Sequence, residues 1–270
     1  MGFEDVNDRG LVILGCGKMG SAMLSGWLAR GVEPAAVSVI EPAPSDWLRA
    51  TGVAIGGALP ESPAVLIVAV KPQIMDAALP QAAAFGGGAT SIVSVAAGTS
   101  LARLEDSFTA TTPIIRAMPN TPAAIGQGIS AIIGNDAATA QHLDLAETLL
   151  SAVGSVVRLQ SEDQIDAVTG LSGSGPAYVF HLIEALVAAG IAQGLDEPLA
   201  TQFATATVAG AGALAQESED PVDQLRVNVT SPGGTTAAGL DVLMDAQNGL
   251  APLIARTVAA ATARARELKG

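Results

Sequence analysis

The stretch LVILGCGKMG, residues 11–20, predicts how this chain begins to fold. A short apolar run suits a strand, and Gly15, Gly17 and Gly20 have the spacing G-x-G-x-x-G where that strand gives way to a helix over residues 18–30. Gly15 permits the tight turn, Gly17 lets a pyrophosphate approach the backbone, and Gly20 lets helix and strand pack closely. The helix start offers free N–H groups to phosphate. The stretch therefore predicts a dinucleotide-binding loop, the alternative being a purely structural glycine turn; its residues are Gly15, Cys16, Gly17, Lys18, Met19 and Gly20.

Strand-like and helix-like segments alternate over the first 160 residues. The run at 65–70 is continuously apolar, as in a parallel strand buried on both faces. This alternation predicts an α/β fold that begins with a Rossmann-type, doubly wound parallel sheet. The predicted strands are 11–14, 37–40, 65–70, 91–95, 114–117, 129–133 and 155–159, with further helices at 73–84 and 137–152.

The pattern changes after residue 160, where strand-like runs stop and Ala-rich helical segments follow. We therefore expect two domains, a dinucleotide-binding domain at 1–160 and an all-α dimerisation and substrate-binding domain at 161–270. The predicted helices of the second are 162–169, 176–192, 198–216, 221–229, 235–247 and 250–268.

The amino-acid composition limits the kinds of binding partner to be expected. Hydrophobic residues make up 49% of the 270 residues while aromatic residues make up 3%, so the apolar mass is small and aliphatic and favours a homo-oligomer. The net charge is −13 and no basic stripe is present, which argues against nucleic acid. Arg256, Arg264, Arg266 and Lys269 fit the end of a helix better than a polybasic tail. The single cysteine, Cys16, excludes an internal disulfide and a cysteine-based metal cluster.

The chain is expected in the cytoplasm. Its first eight residues are polar and acidic, unlike a secretory signal. The apolar runs look too short to span a membrane, since residues 64–70 are few and the run at 178–194 is interrupted by His181 and Glu184. We therefore expect no membrane partner.

Residues that follow the predicted strands are further cofactor candidates. Glu41 ends the second strand, where an acidic side chain accepts from the ribose hydroxyls and repels a 2′-phosphate, which favours NADH over NADPH. The alternative is that Glu41 and Pro42 form an exposed turn. Two further segments follow strands at the edge where open α/β sheets bind ligands, unless they are only loops; they are Val70, Lys71 and Pro72, and Ala96, Ala97 and Gly98.

The segment TSPGGTT, residues 230–236, is the most informative part of the helical half. Two glycines between hydroxyl residues at a helix start suit a group that approaches the backbone closely. Free N–H groups beside Ser and Thr hydroxyls would bind a small anion such as a carboxylate. The alternative is an ordinary turn with Ser231 as the helix N-cap.

The sequence offers little acid–base machinery. His142 and His181 are the two histidines, and each fits a structural role better than a catalytic one. Hydride transfer to a C=N bond suits such a site, because an imine is readily protonated near neutral pH whereas a carbonyl usually needs a stronger proton donor.

Six segments together resemble the pyrroline-5-carboxylate reductase family over essentially the whole chain. The last two are highly specific to the family in this order. The segments are LGCGKMG at 14–20, VKP at 70–72, SVAAG at 94–98, RAMPNTP at 116–122, VTGLSGSGPA at 168–177 and VTSPGGTT at 229–236.

The resemblance implies reduction of Δ1-pyrroline-5-carboxylate to L-proline by NADPH or NADH, the last step of proline biosynthesis, without a metal. It implies an interlocked homodimer, with higher assemblies possible. Thr236 matches the threonine that hydrogen-bonds the ring nitrogen and is the catalytic candidate. Glu41 replaces the small or basic residues expected of members that prefer NADPH. The implied substrate-binding residues are Ser231, Gly233, Gly234, Thr235 and Thr236, and the implied cofactor-side wall is Met118, Pro119 and Asn120.

Two other functions remain as alternatives. A β-hydroxyacid dehydrogenase has a similar glycine pattern, but it needs a lysine where this chain has Val179. A nucleotide-binding protein without catalysis would be expected to lack the intact segment at 230–236.

Overall fold

The computed structural model describes residues 3–268. Lys269 and the outer ends of the predicted domains therefore lie outside the described residues. The strands are β1 (Leu11–Leu14), β2 (Val37–Ile40), β3 (Ala54–Ile55), β4 (Val65–Val68), β5 (Ser91–Ser94), β6 (Ile114–Met118), β7 (Gly128–Gly134) and β8 (Gly154–Arg158). The α-helices are α1 (Glu4–Arg9), α2 (Lys18–Ala29), α3 (Asp46–Ala50), α4 (Met75–Ala78), α5 (Leu101–Phe108), α6 (Ala140–Leu150), α7 (Gln164–Val168), α8 (Gly175–Ala192), α9 (Glu197–Glu217), α10 (Val222–Asn228), α11 (Thr235–Leu243) and α12 (Leu250–Leu268).

The strands form one eight-stranded sheet in the order β3-β2-β1-β4-β5-β6-β7-β8. The first six of these are mutually parallel, which confirms the predicted Rossmann-type fold. The sheet is not parallel throughout, because β7 runs antiparallel to β6. Only a 3-10 helix, Thr121–Ile125, connects these two strands, and so short a connection cannot make a parallel crossover.

Alternate residues of the central strands pack on opposite faces of the sheet. Leu11 and Ile13 of β1 join one hydrophobic cluster with Trp27 of α2, while Val12 and Leu14 join a second cluster on the other face. All four residues of β1 and of β4 are buried, as predicted for strands covered by helices on both sides. The indole N–H of Trp27 donates to the Leu149 carbonyl at 2.7 Å and ties α2 to α6.

The helix predicted at 73–84 is wrong in type. The segment is a 3-10 helix at Pro72–Ile74, the single turn of α4, and a 3-10 helix at Leu79–Phe85. Pro80 lies where a continuous α-helix would need its N–H, so the helix cannot propagate. The sequence analysis also missed α1, α3, α5 and β3, which are all short.

By internal contacts the chain divides into two compact units, residues 3–173 with 261–268, and residues 174–260. The division falls after Gly173, although the last strand ends at Arg158. The first unit therefore includes α7 and the π-helical turn at Thr169–Gly173 as well as the sheet.

In the second unit α8 and α9 pack together. They approach closely at Gly190, where a β-carbon would lie 3.2 Å from the Ala200 side chain.

One helical run passes the length test for a membrane span. The continuous run Gln164–Ala192 has 29 residues and a mean hydropathy of 1.5. The expectation that every apolar run is too short is therefore wrong for this segment, which the sequence analysis divided into helices at 162–169 and 176–192.

A buried ion pair joins β6 to the segment before α7. Arg116 is 3% exposed, and its Nη1 donates to Glu162 Oε1 at 2.5 Å, an oxygen that also accepts the Leu101 N–H at 2.9 Å. Removing one partner of a buried pair leaves the other charge without compensation.

We therefore predict that Glu162→Ala lowers the free energy of unfolding by about 3 kcal/mol. The control is Glu147→Ala, which removes a surface partner of Arg158 and should cost less than about 1 kcal/mol. Urea unfolding followed by circular dichroism measures both. Equal losses in the two variants would contradict a structural role for the buried pair.

Candidate functional site

The carboxyl ends of five parallel strands lie side by side. Register aligns Ile40 with Leu14, Leu14 with Val68, Val68 with Ser94, and Ser94 with Arg116. The predicted cofactor residues follow this row within a few positions on each strand. The structure therefore brings the separate sequence segments to one edge, and the strand order reverses between β1 and β4, where such sheets bind ligands.

The glycines of the loop are needed for close backbone approach. Gly15 has φ +87°, and a β-carbon there would lie 2.6 Å from Val70 Cγ1. A β-carbon on Gly20 would lie 2.7 Å from the Gly15 carbonyl oxygen. Gly17 has open space on that side and no side chain caps α2, so the first amides of the helix are accessible to an anion.

Glu41 is tied to this loop. Its Oε2 accepts the Cys16 N–H at 2.8 Å and its Oε1 accepts the Ala43 N–H at 3.0 Å. The carboxylate is therefore partly buried and bonded to two backbone amides. A carboxylate has further lone pairs, so ribose hydroxyls can still bind the same oxygens.

Cys16 is a buried thiol beside that carboxylate. Burial raises the pKa of Cys16, the charge of Glu41 raises it further, and a hydrogen bond with Ser21 lowers it. The net direction is upward, so the side chain stays a neutral thiol at neutral pH and lines the loop without acting as a nucleophile.

A cavity of about 680 Å³ opens at the end of β1, large enough for part of a dinucleotide. Its walls include five predicted cofactor residues, Gly15, Gly17, Glu41, Val70 and Lys71. A neighbouring cavity of about 480 Å³ shares Gly17 and Glu41 and adds residues of the loop and of the segment after β2. A larger depression of about 890 Å³ includes none of the predicted residues.

The other predicted cofactor segments lie along the same edge. Lys71 is exposed and precedes the 3-10 helix that Pro72 begins, so its ammonium group faces solvent at the cavity wall. After β5, Ala96 is buried and Ala97 exposed, and Gly98 has φ +74°. Ala97 and Gly98 thus form a turn just beyond the carboxyl end of the next strand.

Met118 ends β6, and Pro119 and Asn120 follow it directly. Met118 and Asn120 contact an element that the sequence analysis did not single out as part of the site. Asn120 Nδ2 donates to the Ser172 carbonyl at 3.2 Å, and a β-carbon on Gly173 would lie 2.5 Å from Met118 Cε. Both contacts are to the π-turn, Thr169–Gly173. The glycine-rich segment at 168–177 was the available signal, but it was used only to compare families and not to place site residues.

The predicted substrate segment lies in the second unit and begins α11. The N-cap is Gly234 and not Ser231, and no side chain caps this helix in the described structure. Ser231, Thr235 and Thr236 are exposed, and Gly233 has φ +68°. The Gly234 N–H already donates to the Ser231 carbonyl at 3.0 Å, which closes the turn.

The histidines have structural surroundings. His142 Nδ1 accepts the Thr139 N–H in a capping box at the start of α6. Burial lowers the pKa of His142, so it is neutral at pH 7. His181 pairs with Glu184 on the exposed face of α8. Within residues 3–268 no cluster of three or more His, Cys, Asp or Glu side chains is arranged to hold a metal ion.

Two family models match the chain. Residues 162–268 match the model described as pyrroline-5-carboxylate reductase dimerisation. Residues 10–98 match the model described as NADP oxidoreductase coenzyme F420-dependent. The second match covers the glycine loop and the strands on either side of it.

Whole-length relatives agree with these matches. The chain is 42% identical over 267 residues to a pyrroline-5-carboxylate reductase of Synechocystis, covering 96% of this chain and 97% of that protein. Among solved structures, the enzyme of that name from Coxiella burnetii is 32% identical with a TM-score of 0.91, covering 98% of this chain and 100% of that one. The Plasmodium falciparum pyrroline carboxylate reductase with NADP bound is 26% identical with a TM-score of 0.85, covering 98% and 99%. The chain therefore belongs to the pyrroline-5-carboxylate reductase family.

Proposed function

We propose that this protein reduces Δ1-pyrroline-5-carboxylate to L-proline with a reduced nicotinamide cofactor. The observation that carries the proposal is the row of aligned strand ends, which presents the glycine loop, Glu41 and the Met118–Asn120 wall on one edge. Family membership supplies the substrate. The Plasmodium falciparum structure has NADP bound, which supports a nicotinamide dinucleotide as the cofactor.

The cofactor-binding role belongs to residues 1–160 and the substrate-binding role to residues 161–270. In this assignment the amides at the start of α2 bind the pyrophosphate, Glu41 binds the adenosine ribose, and Met118, Pro119 and Asn120 line the nicotinamide side. Gly15 and Gly20 fit such a group because their missing side chains let the loop lie close to the strand ends. The bound cofactor supplies the hydride.

The start of α11 binds the substrate carboxylate. Ser231 offers its hydroxyl, Gly233 and Gly234 shape the turn, and the amide of Thr235 lies at the uncapped helix start. Because the Gly234 amide donates within the turn, we assign the anion to the Ser231 hydroxyl and the Thr235 amide first. Thr236 hydrogen-bonds the ring nitrogen and is the catalytic residue. An imine substrate fits the lack of a histidine or lysine donor on this segment.

The protein works as a homodimer or a higher homo-oligomer in the cytoplasm, without a nucleic-acid or membrane partner. The second unit leaves large apolar side chains exposed, among them Phe180 at 60% and Phe203 at 59%. The match of residues 162–268 to a dimerisation model supports a second subunit that covers these side chains and the apolar run Gln164–Ala192.

Substitution of Thr236 tests the substrate assignment. Thr236→Ala removes a substrate-side hydrogen bond, so kcat should fall by a factor that corresponds to roughly 1–3 kcal/mol while cofactor affinity stays unchanged. Ser231→Ala should mainly raise KM for pyrroline-5-carboxylate. Steady-state kinetics and NADH titration separate the two effects. The control is Thr148→Ala, because the Thr148 hydroxyl donates only to the Asp144 carbonyl one turn earlier in α6. Equal loss of cofactor binding in Thr236→Ala would refute the assignment.

Glu41 should select NADH. Its carboxylate lines both cavities at the end of β2 and would repel a 2′-phosphate. Glu41→Ser should raise the ratio of kcat/KM for NADPH to that for NADH by roughly tenfold, or about 1.4 kcal/mol. Glu33→Ser, beside the amino end of the same strand, should leave the ratio unchanged. A wild-type enzyme that strongly prefers NADPH would show that Glu41 does not discriminate.

The exposed apolar side chains should hold subunits together. Light scattering after gel filtration should give a mass of at least twice the chain mass of 26.9 kDa. Phe180→Asp combined with Phe203→Asp should lower that mass, because two charges would be buried without partners. Val157→Asp, on the exposed face of β8, should not. A wild-type mass equal to one chain would contradict the assembly.

A further inference from the structure

Asn120 uses both ends of its side-chain amide. Its Oδ1 accepts the Ile129 N–H at 3.0 Å, and its Nδ2 donates to the Ser172 carbonyl at 3.2 Å. Asn120 stands where the antiparallel ladder of β6 and β7 would continue beyond the Met118–Ala131 pair. Its side chain therefore joins three elements, the end of β6, the start of β7 and the π-turn.

The π-turn is shaped to meet Met118. Gly173 leaves room for the Met118 methyl group, since a β-carbon would come within 2.5 Å of it. The Thr169 hydroxyl donates to the Ile165 carbonyl at 2.8 Å and anchors the other end of the turn to α7. Single π-helical turns inside helices frequently mark functional sites. Met118 and Asn120 thus meet the turn at two points, one apolar and one polar.

A second asparagine makes the same kind of brace at the opposite end of this strand pair. Asn135 Oδ1 accepts the Ile114 N–H at 3.0 Å, and its Nδ2 donates to the Thr112 carbonyl at 3.0 Å and to Glu105 Oε1 of α5 at 2.9 Å. Asn135 lies at the amino end of β6, away from the row of strand ends that forms the site. If Asn120 did no more than brace the strand pair, substitution of either asparagine would have the same effect on the reaction rate.

We propose that Asn120 is a positioning residue that holds the Met118–Asn120 wall against the π-turn and so fixes the reduced nicotinamide ring for hydride transfer. The proposal rests on the proposed function. The polar contact to Ser172 fixes the distance between wall and turn, and the Met118–Gly173 contact fixes their packing. A displacement of about 1 Å in such a wall is enough to lower the rate of transfer roughly 100-fold.

The isosteric variant Asn120→Asp separates the two hydrogen bonds. It keeps an oxygen for the Ile129 N–H but replaces the donor to Ser172 by an acceptor, which faces the carbonyl with like polarity. We expect kcat to fall roughly 10- to 100-fold while KM for pyrroline-5-carboxylate changes less than about threefold. The primary isotope effect with 4-deuterated NADH should rise. The fluorescence enhancement of bound NADH, which needs no turnover, should fall. Asn120→Ala, which removes both bonds, should show the same pattern if the aspartate variant does not fold.

Asn135→Ala is the matched control. It should lower the thermal midpoint and leave kcat, the isotope effect and NADH fluorescence at wild-type values. Asn120 variants with wild-type kcat and isotope effect would overturn the proposal, as would a loss of rate that Asn135→Ala reproduces. A wild-type protein without turnover on pyrroline-5-carboxylate would refute the proposed function, and NADH fluorescence alone would then decide the role of Asn120.

Discussion

The close approach of backbones at the end of β1 is the constraint on which the site depends. Gly15 fits against Val70, and Gly20 fits against the Gly15 carbonyl, at distances that admit no side chain. At this contact the chain passes from β1 into α2. The contact lies at the carboxyl ends of β1 and β4, the two neighbouring strands between which the strand order reverses. It leaves the start of α2 uncapped and accessible. The carboxylate of Glu41, just after the neighbouring strand β2, holds the loop in place by accepting the Cys16 N–H.

Much of this arrangement was predictable because it rests on local patterns. Glycine spacing, buried strands and helix starts are short-range signals, and β1, β2 and α12 have the predicted bounds. The loop at Gly15, Gly17 and Gly20 has the expected geometry. The helical half was also predicted, since Ala-rich periodicity persists over long segments there.

Some features that the sequence analysis missed have local causes that it overlooked, and others depend on tertiary contacts. The 3-10 conformation at 79–85 follows from one proline, whereas the antiparallel direction of β7 follows from the length of a connection. The hydrogen bond between Glu41 and Cys16 joins residues 25 positions apart, and the one between Asn120 and Ser172 joins residues 52 apart, so no local pattern records them. The start of α11 decides an alternative that the segment left open, because the N-cap is Gly234 and not Ser231.

The central claim is that an imine, and not a carbonyl, receives the hydride. The most direct measurement is to mix purified protein with NADH or NADPH, with and without pyrroline-5-carboxylate, and to quantify cofactor oxidised and proline formed. The account predicts oxidation only when the imine is present, with one proline formed for each cofactor consumed. Oxidation without proline, or no oxidation with either cofactor, would contradict it.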